Sequence, residues 1–126
     1  MVKYKWRQGV PFLNDLIIKV VKRGEYELTE VFRYEDYKSG GVINIPIGFR
    51  TDFASIPRVL RWFIVGHGTT RKPATLHDYL YRETSVSRKT ADDLFRQAMQ
   101  EEGVSFWRCR AMYWAVRVFG GLARAF

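Results

Sequence analysis

The chain has 126 residues, 47% of them hydrophobic and 16% aromatic, which is too apolar for disorder and a usual size for one domain around one core. Lysine and arginine number 21 against 13 acidic residues, a formal charge of +8, with 14 arginines to 7 lysines. That excess favours phosphate groups, of nucleic acid, anionic lipid or nucleotide, without choosing among them, and the single Cys109 excludes an internal disulfide.

No Ser/Gly/Pro-rich stretch marks a linker and no segment repeats, so residues 1–126 are expected to form a single domain. The first 26 residues carry no uninterrupted apolar segment of signal-peptide length, and no run approaches the roughly 18 residues of a spanning helix. Synthesis and folding in a cytoplasm, with no transmembrane segment, are the expectation. Cys109 then reads as a small, half-buried helix residue rather than a nucleophile.

Strand periodicity comes first. Leu16 to Val21 is rich in β-branched residues and ends at the turn-prone Arg23-Gly24, and Tyr26 to Tyr34 alternates imperfectly, so two strands joined by a tight turn are predicted. After Ser39-Gly40-Gly41, Val42 to Ile47 reads as a short third strand, with Pro46 at an edge or an end. A small antiparallel sheet follows.

Beyond Pro57 the period becomes helical. Arg58 to Val65 suits one short helix, and Pro73 opens another that runs to about Glu83. Ser87 or Thr90 caps a third, ended near Glu102 by Gly103, and the fourth spans Phe106 to Phe119 with Gly120-Gly121 as its stop. Strands followed by three to four helices, two of them an antiparallel hairpin, define an α+β fold.

The polar residues of that hairpin carry the candidate chemistry. On the third helix Ala91, Leu94, Phe95, Ala98 and Met99 share a buried stripe. Asp93 points to water, while Asp92 lies at the stripe's margin and needs a donor or a cation. On the preceding helix Leu76, Tyr79 and Leu80 face inward, with His77 about 60° from the centre of that face and Asp78 farther round, towards Tyr81. His77 and Asp92 can meet across the groove. A carboxylate on one imidazole nitrogen fixes the tautomer and leaves the other to accept a proton, and Asp78 is placed to hold a cation alongside. Such a hydrogen bond is also an ordinary way to satisfy two polar groups between packed helices.

Gly48-Phe49-Arg50-Thr51-Asp52-Phe53-Ala54-Ser55-Ile56-Pro57, Leu76-His77-Asp78-Tyr79-Leu80-Tyr81 and Ala91-Asp92-Asp93-Leu94-Phe95 together resemble a phage and prophage family catalogued as domain of unknown function 1353. The resemblance implies a viral or prophage origin, synthesis in the host cytoplasm with the virion as a further location, and no established activity. His-Asp-x-x-Tyr followed by Ala-Asp-x-x-Phe is also similar to the catalytic hairpin of phospholipases A2. That second resemblance implies His77 as base, Asp78 as calcium ligand, Asp92 as orienting carboxylate and Tyr81 as supporting hydroxyl. Phospholipases draw the remaining calcium ligands from a glycine-rich loop well upstream, whereas Gly66-His67-Gly68 lies only nine to eleven residues before His77.

Asp52 and Ser55 sit where strands give way to helices. Asp52 is a candidate to complete a metal site with Asp78, for calcium or another divalent cation, and Ser55 reads as a helix cap or as the nucleophile of a Ser55-His77-Asp92 triad, without a Gly-x-Ser-x-Gly elbow. His67, between glycines, matches the residue order of a His…His-Asp…Asp phosphohydrolase. Arg110, Arg117 and Arg124 recur every seven residues on the last helix among Phe106, Trp107, Tyr113, Trp114, Val118 and Phe119. A core helix with a solvated arginine face, an amphipathic helix at a lipid surface, and a base-stacking surface without a known motif all fit that pattern.

Two functions follow from these readings. One is a small hydrolase of an ester or related bond in lipid or cell-envelope material, with a His77-Asp92 dyad. The other is a non-catalytic phage protein, a tail or head-completion component or a binder of a host factor, whose partners are phage structural proteins or a host envelope component.

Overall fold

A computed structural model describes residues 12–23, 25–51 and 71–125, with side chains to Val118 in the last stretch. They fall into two compact units, one within Met1–Asp52 and one within Phe53–Phe126. The expected helix from Arg58 to Val65 lies outside the described residues.

The first unit contains β1 (Ile18–Lys22), β2 (Glu25–Leu28), β3 (Phe32–Glu35), β4 (Val42–Ile45) and β5 (Arg50–Thr51). All pairings are antiparallel, in a three-stranded sheet of order β1-β2-β5 and a two-stranded sheet of β3 and β4. The run from Tyr26 to Tyr34 is therefore two strands in different sheets rather than one, which explains its imperfect alternation. β4 stops at Ile45, before Pro46, whose ring cannot donate to a ladder. The two-residue β5 is too short to show a period.

Burial alternates along β3. Phe32 and Tyr34 are sealed, and Phe12 stacks on Phe32 with ring centroids 5.0 Å apart, while Arg33 points out and donates to Asn44 on β4. The β3–β4 turn is closed by Asp36, whose carboxylate accepts from the Lys38 amide and the Ser39 hydroxyl, and Gly40 takes the φ of 78° that the reversal needs. β1 is mostly exposed. Lys19 and Lys22 on it pair with Glu27 and Glu25 on β2, and Arg50 on β5 reaches Glu27 from the other side at 2.9 Å. These bridges are open to water and screened by it, so they set register more than stability.

The second unit contains α1 (Arg71–Glu83), α2 (Arg88–Glu101) and α3 (Phe106–Ala125). Pro73 is the third described residue of α1 and is buried. Ser87 caps α2 by accepting from the Thr90 amide at 3.1 Å. At the other end Gly103, with φ 84°, lets the Val104 amide return to the Met99 carbonyl and stops the helix. Gly120 and Gly121 stop nothing, and α3 runs on to Ala125. Glycine inside a helix costs about 1 kcal/mol relative to alanine, which lowers stability without forbidding the conformation.

Leu76, Leu80, Ala91, Phe95, Ala98, Met99, Cys109, Met112 and Val116 form the core of this unit. α3 departs from the arginine-out, aromatic-in reading. Cys109, Met112, Tyr113 and Val116 face inward, but Phe106, Trp107, Trp114 and Val118 face out, alongside Arg110 and Ala111. Asp93 is likewise not simply in water: α3 covers its side, and its carboxylate accepts from the Tyr113 hydroxyl at 2.8 Å and from Lys89 at 2.7 Å.

Candidate functional site

Helical phase places His77 and Asp92 opposite each other where α1 and α2 pack. His77 Nε2 lies 2.7 Å from Asp92 Oδ1, with the two side chains 1% and 0% exposed. Asp92, expected at a half-hydrated margin, is fully out of water and takes both kinds of partner that such burial demands. His77 serves one oxygen, and Arg117 Nη1 donates to Oδ2 at 3.0 Å. Arg88, at the start of α2, donates to the Arg117 carbonyl at 2.7 Å and ties the same turn of α3 back to α2. One carboxylate thus links all three helices.

The imidazole is held on its faces as well as its edge. Its centroid is 4.6 Å from the Tyr81 ring, one turn along α1, and 4.9 Å from the Phe95 ring on α2. Tyr81 therefore meets His77 through its ring. Nδ1 of His77 is buried and has no hydrogen-bond partner among the described residues. With Nε2 carrying the proton towards Asp92, Nδ1 presents a lone pair.

Asp78 is engaged by an arginine of its own helix. It is 2% exposed, and Arg82, one turn on, holds it bidentately, Nε at 2.9 Å from Oδ1 and Nη2 at 3.2 Å from Oδ2. A calcium ion needs several oxygen ligands, and both oxygens of Asp78 are engaged by the guanidinium fork. Among the described residues no group of three or more His, Cys, Asp or Glu side chains could hold a metal ion. Asp52, Ser55 and His67, the remaining candidates, lie outside the described residues.

Sequence reasoning missed Arg117 as the second partner of Asp92 and Tyr113 as the partner of Asp93. Both belong to α3 and meet α2 only through packing. Cys109 is buried, its thiol 3.5 Å from the Val104 carbonyl, and burial pushes its pKa up, the opposite of an activated thiolate. Among the described residues no helix is long and apolar enough to cross a membrane.

Residues 26–116 match the family model described as a protein of unknown function, DUF1353. Over 98 residues, 75% of this chain, the sequence is 35% identical to the uncharacterized protein y4jT of Sinorhizobium fredii, and the match spans 29% of that protein's length. No solved structure matches the chain. With most of both units inside the matched segment, the chain belongs to the DUF1353 family.

Proposed function

We propose that the chain is a non-catalytic binding protein whose contact surface is the outward face of α3, with His77, Asp92 and Arg117 as the clasp that holds that helix in place. The observation that carries this reading is the exposure of Phe106 (72%), Trp107 (59%), Trp114 (58%) and Val118 (56%) on one helix. Single exposed apolar residues are ordinary, but large aromatics gathered beside arginines are the composition of contact surfaces. A clasp also accounts for the burial of His77, which a base working on an outside substrate would not need. A virion component or a binder of a host factor, in a phage or prophage setting, is the role this surface suits.

Photo-crosslinking in cells tests the reading. A benzophenone side chain in place of Ala111, in the middle of the exposed face, should give covalent adducts, and one in place of the exposed Glu83 on α1 should not. Equal labelling from both positions, or none from either, would remove α3 as the contact surface.

A hydrolase remains as the second reading, because Nδ1 of His77 is unpaired among the described residues while Nε2 is held by Asp92. On that reading Nδ1 takes a proton from water attacking an ester. Turnover of ester or phospholipid substrates that disappears in Asp92→Asn and His77→Gln, with both variants folded, would favour it over the clasp.

A further inference from the structure

We infer that the outward face of α3 seats on an anionic phospholipid surface. This rests on reading α3 as the contact surface and names what covers it. At 100° per residue, Trp107, Ala111, Trp114 and Val118 fall within about 60° of one another, a continuous apolar ridge about 16 Å long. All four are exposed.

The charges on this helix are of one sign and are arranged about the ridge. Phe106–Ala125 contains four arginines and no acidic residue. By phase, Arg110 and Arg117 lie on one side of the ridge and Arg108 on the other. Arg117 is already engaged by Asp92, which leaves Arg110 as the exposed cation at the ridge. Guanidinium groups also stack on the aromatics, with the Arg110 carbon 5.5 Å from the Phe106 ring centroid and the Arg108 carbon 5.3 Å from that of Trp107. The exposed Arg110 guanidinium offers N–H edges that can grip phosphate oxygens in pairs, whereas Arg108 has its Nε buried.

A membrane surface has the matching order of layers, anionic phosphates outside and hydrocarbon beneath. A ridge of tryptophan and valine reaches the second layer while Arg110 beside it stays in the first. Nucleic acid fits less well. Ala111 and Val118 offer bases nothing to stack on, and Tyr113, which could, is turned into the core. A protein groove would have to bring carboxylates to both rims of an apolar floor, and it is retained as an outcome of the test.

Vesicle sedimentation with the full chain decides the matter. The chain should sediment with vesicles of equal parts phosphatidylcholine and phosphatidylglycerol and stay in solution with phosphatidylcholine alone. Lipids brominated on the acyl chain should quench its tryptophan emission. Trp107→Ser with Trp114→Ser should weaken binding by more than about tenfold and abolish the quenching that depends on those rings. Arg110→Gln should weaken it about fivefold. Each single tryptophan variant is run beside the double, so that a folding defect in the double leaves the comparison intact.

Binding to the anionic vesicles that is unchanged in folded tryptophan variants would overturn the assignment to this face. Absence of vesicle binding would overturn the lipid. In that case protein adducts from a crosslinker at position 111 would keep α3 as a contact surface with a different occupant, binding to an oligonucleotide lost in the tryptophan variants would reassign it to nucleic acid, and a failure of every arm would remove the surface reading too.

Discussion

Arg117 on α3 donates to the Asp92 oxygen that His77 leaves open, so a carboxylate with no exposed surface keeps two partners from two different helices. Burying a charge is costly unless it is paired, and removing one partner leaves the charge behind in the core. His77→Ala should therefore cost about 3 kcal/mol in urea unfolding at neutral pH, the lower end of what breaking a buried pair costs, since Arg117 remains. His77→Gln, which keeps an N–H donor near Asp92, should lose less. A loss below about 1 kcal/mol for His77→Ala would contradict the clasp and return His77 to chemistry.

Asp93 and Tyr113 make a second tie between α2 and α3, and this one responds to acid. Burial pushes the Asp93 carboxyl up, but hydrogen bonds from Lys89 and Tyr113 outweigh it and bring the pKa below the ordinary carboxylate value. A carboxyl depressed by folding stabilises the folded state above its unfolded pKa, and that contribution is lost as pH falls through the folded one. Tyr113→Phe should cost about 0.5–1 kcal/mol near neutrality, and the gap between variant and parent should close only below about pH 4. Paired thermal melts across that range check it.

Glu102, just past the end of α2, behaves in the opposite sense. Burial raises its pKa, against a smaller opposing effect from Lys72. For an acid with a raised folded pKa, ionisation works against folding: the penalty is absent below the unfolded pKa and complete above the folded one. Glu102→Gln should raise the melting temperature at neutral pH, and the gain should vanish as pH drops past the ordinary glutamate value, about 4.3. An equal gain at low pH would point to packing rather than charge.

Cys109 should be slow towards thiol reagents in the folded chain, because the thiol is buried and its pKa pushed up. Ellman's reagent should modify it rapidly only after denaturation. Fast stoichiometric labelling of the native protein would mean that α3 opens readily in this region.

Local periodicity made the His77–Asp92 contact legible. Helical phase alone separated Asp92 from its neighbour Asp93, and the four-residue connection between α1 and α2 brought the two faces together. The Asp78–Arg82 pair was legible too, as an i,i+4 acid–base spacing, although the phospholipase-like pattern directed attention to a metal instead. What α3 does was not. Arg117 is 25 residues from Asp92, and no pattern in either helix specifies how they dock. The aromatics of α3 misled for a related reason. Hydrophobicity without phase suggests a core, whereas the inward positions belong to Cys109, Met112, Tyr113 and Val116. In the strand unit the break between β2 and β3 at Thr29–Val31 contains neither glycine nor proline, so the change of sheet left no local mark.

The pairing of Arg117 with Asp92 also bears on where this chain can be cut. The segment matching the family model ends at residue 116, one position short of that arginine. A fragment trimmed to those limits would keep His77 and Asp92 but lose β1, Phe12 and the last part of α3, Arg117 included, leaving one oxygen of a sealed carboxylate facing no donor. Such a fragment should be a poor stand-in for the parent in any assay, prone to unfold or aggregate, and a boundary drawn by sequence similarity would in this case miss the boundary drawn by charge.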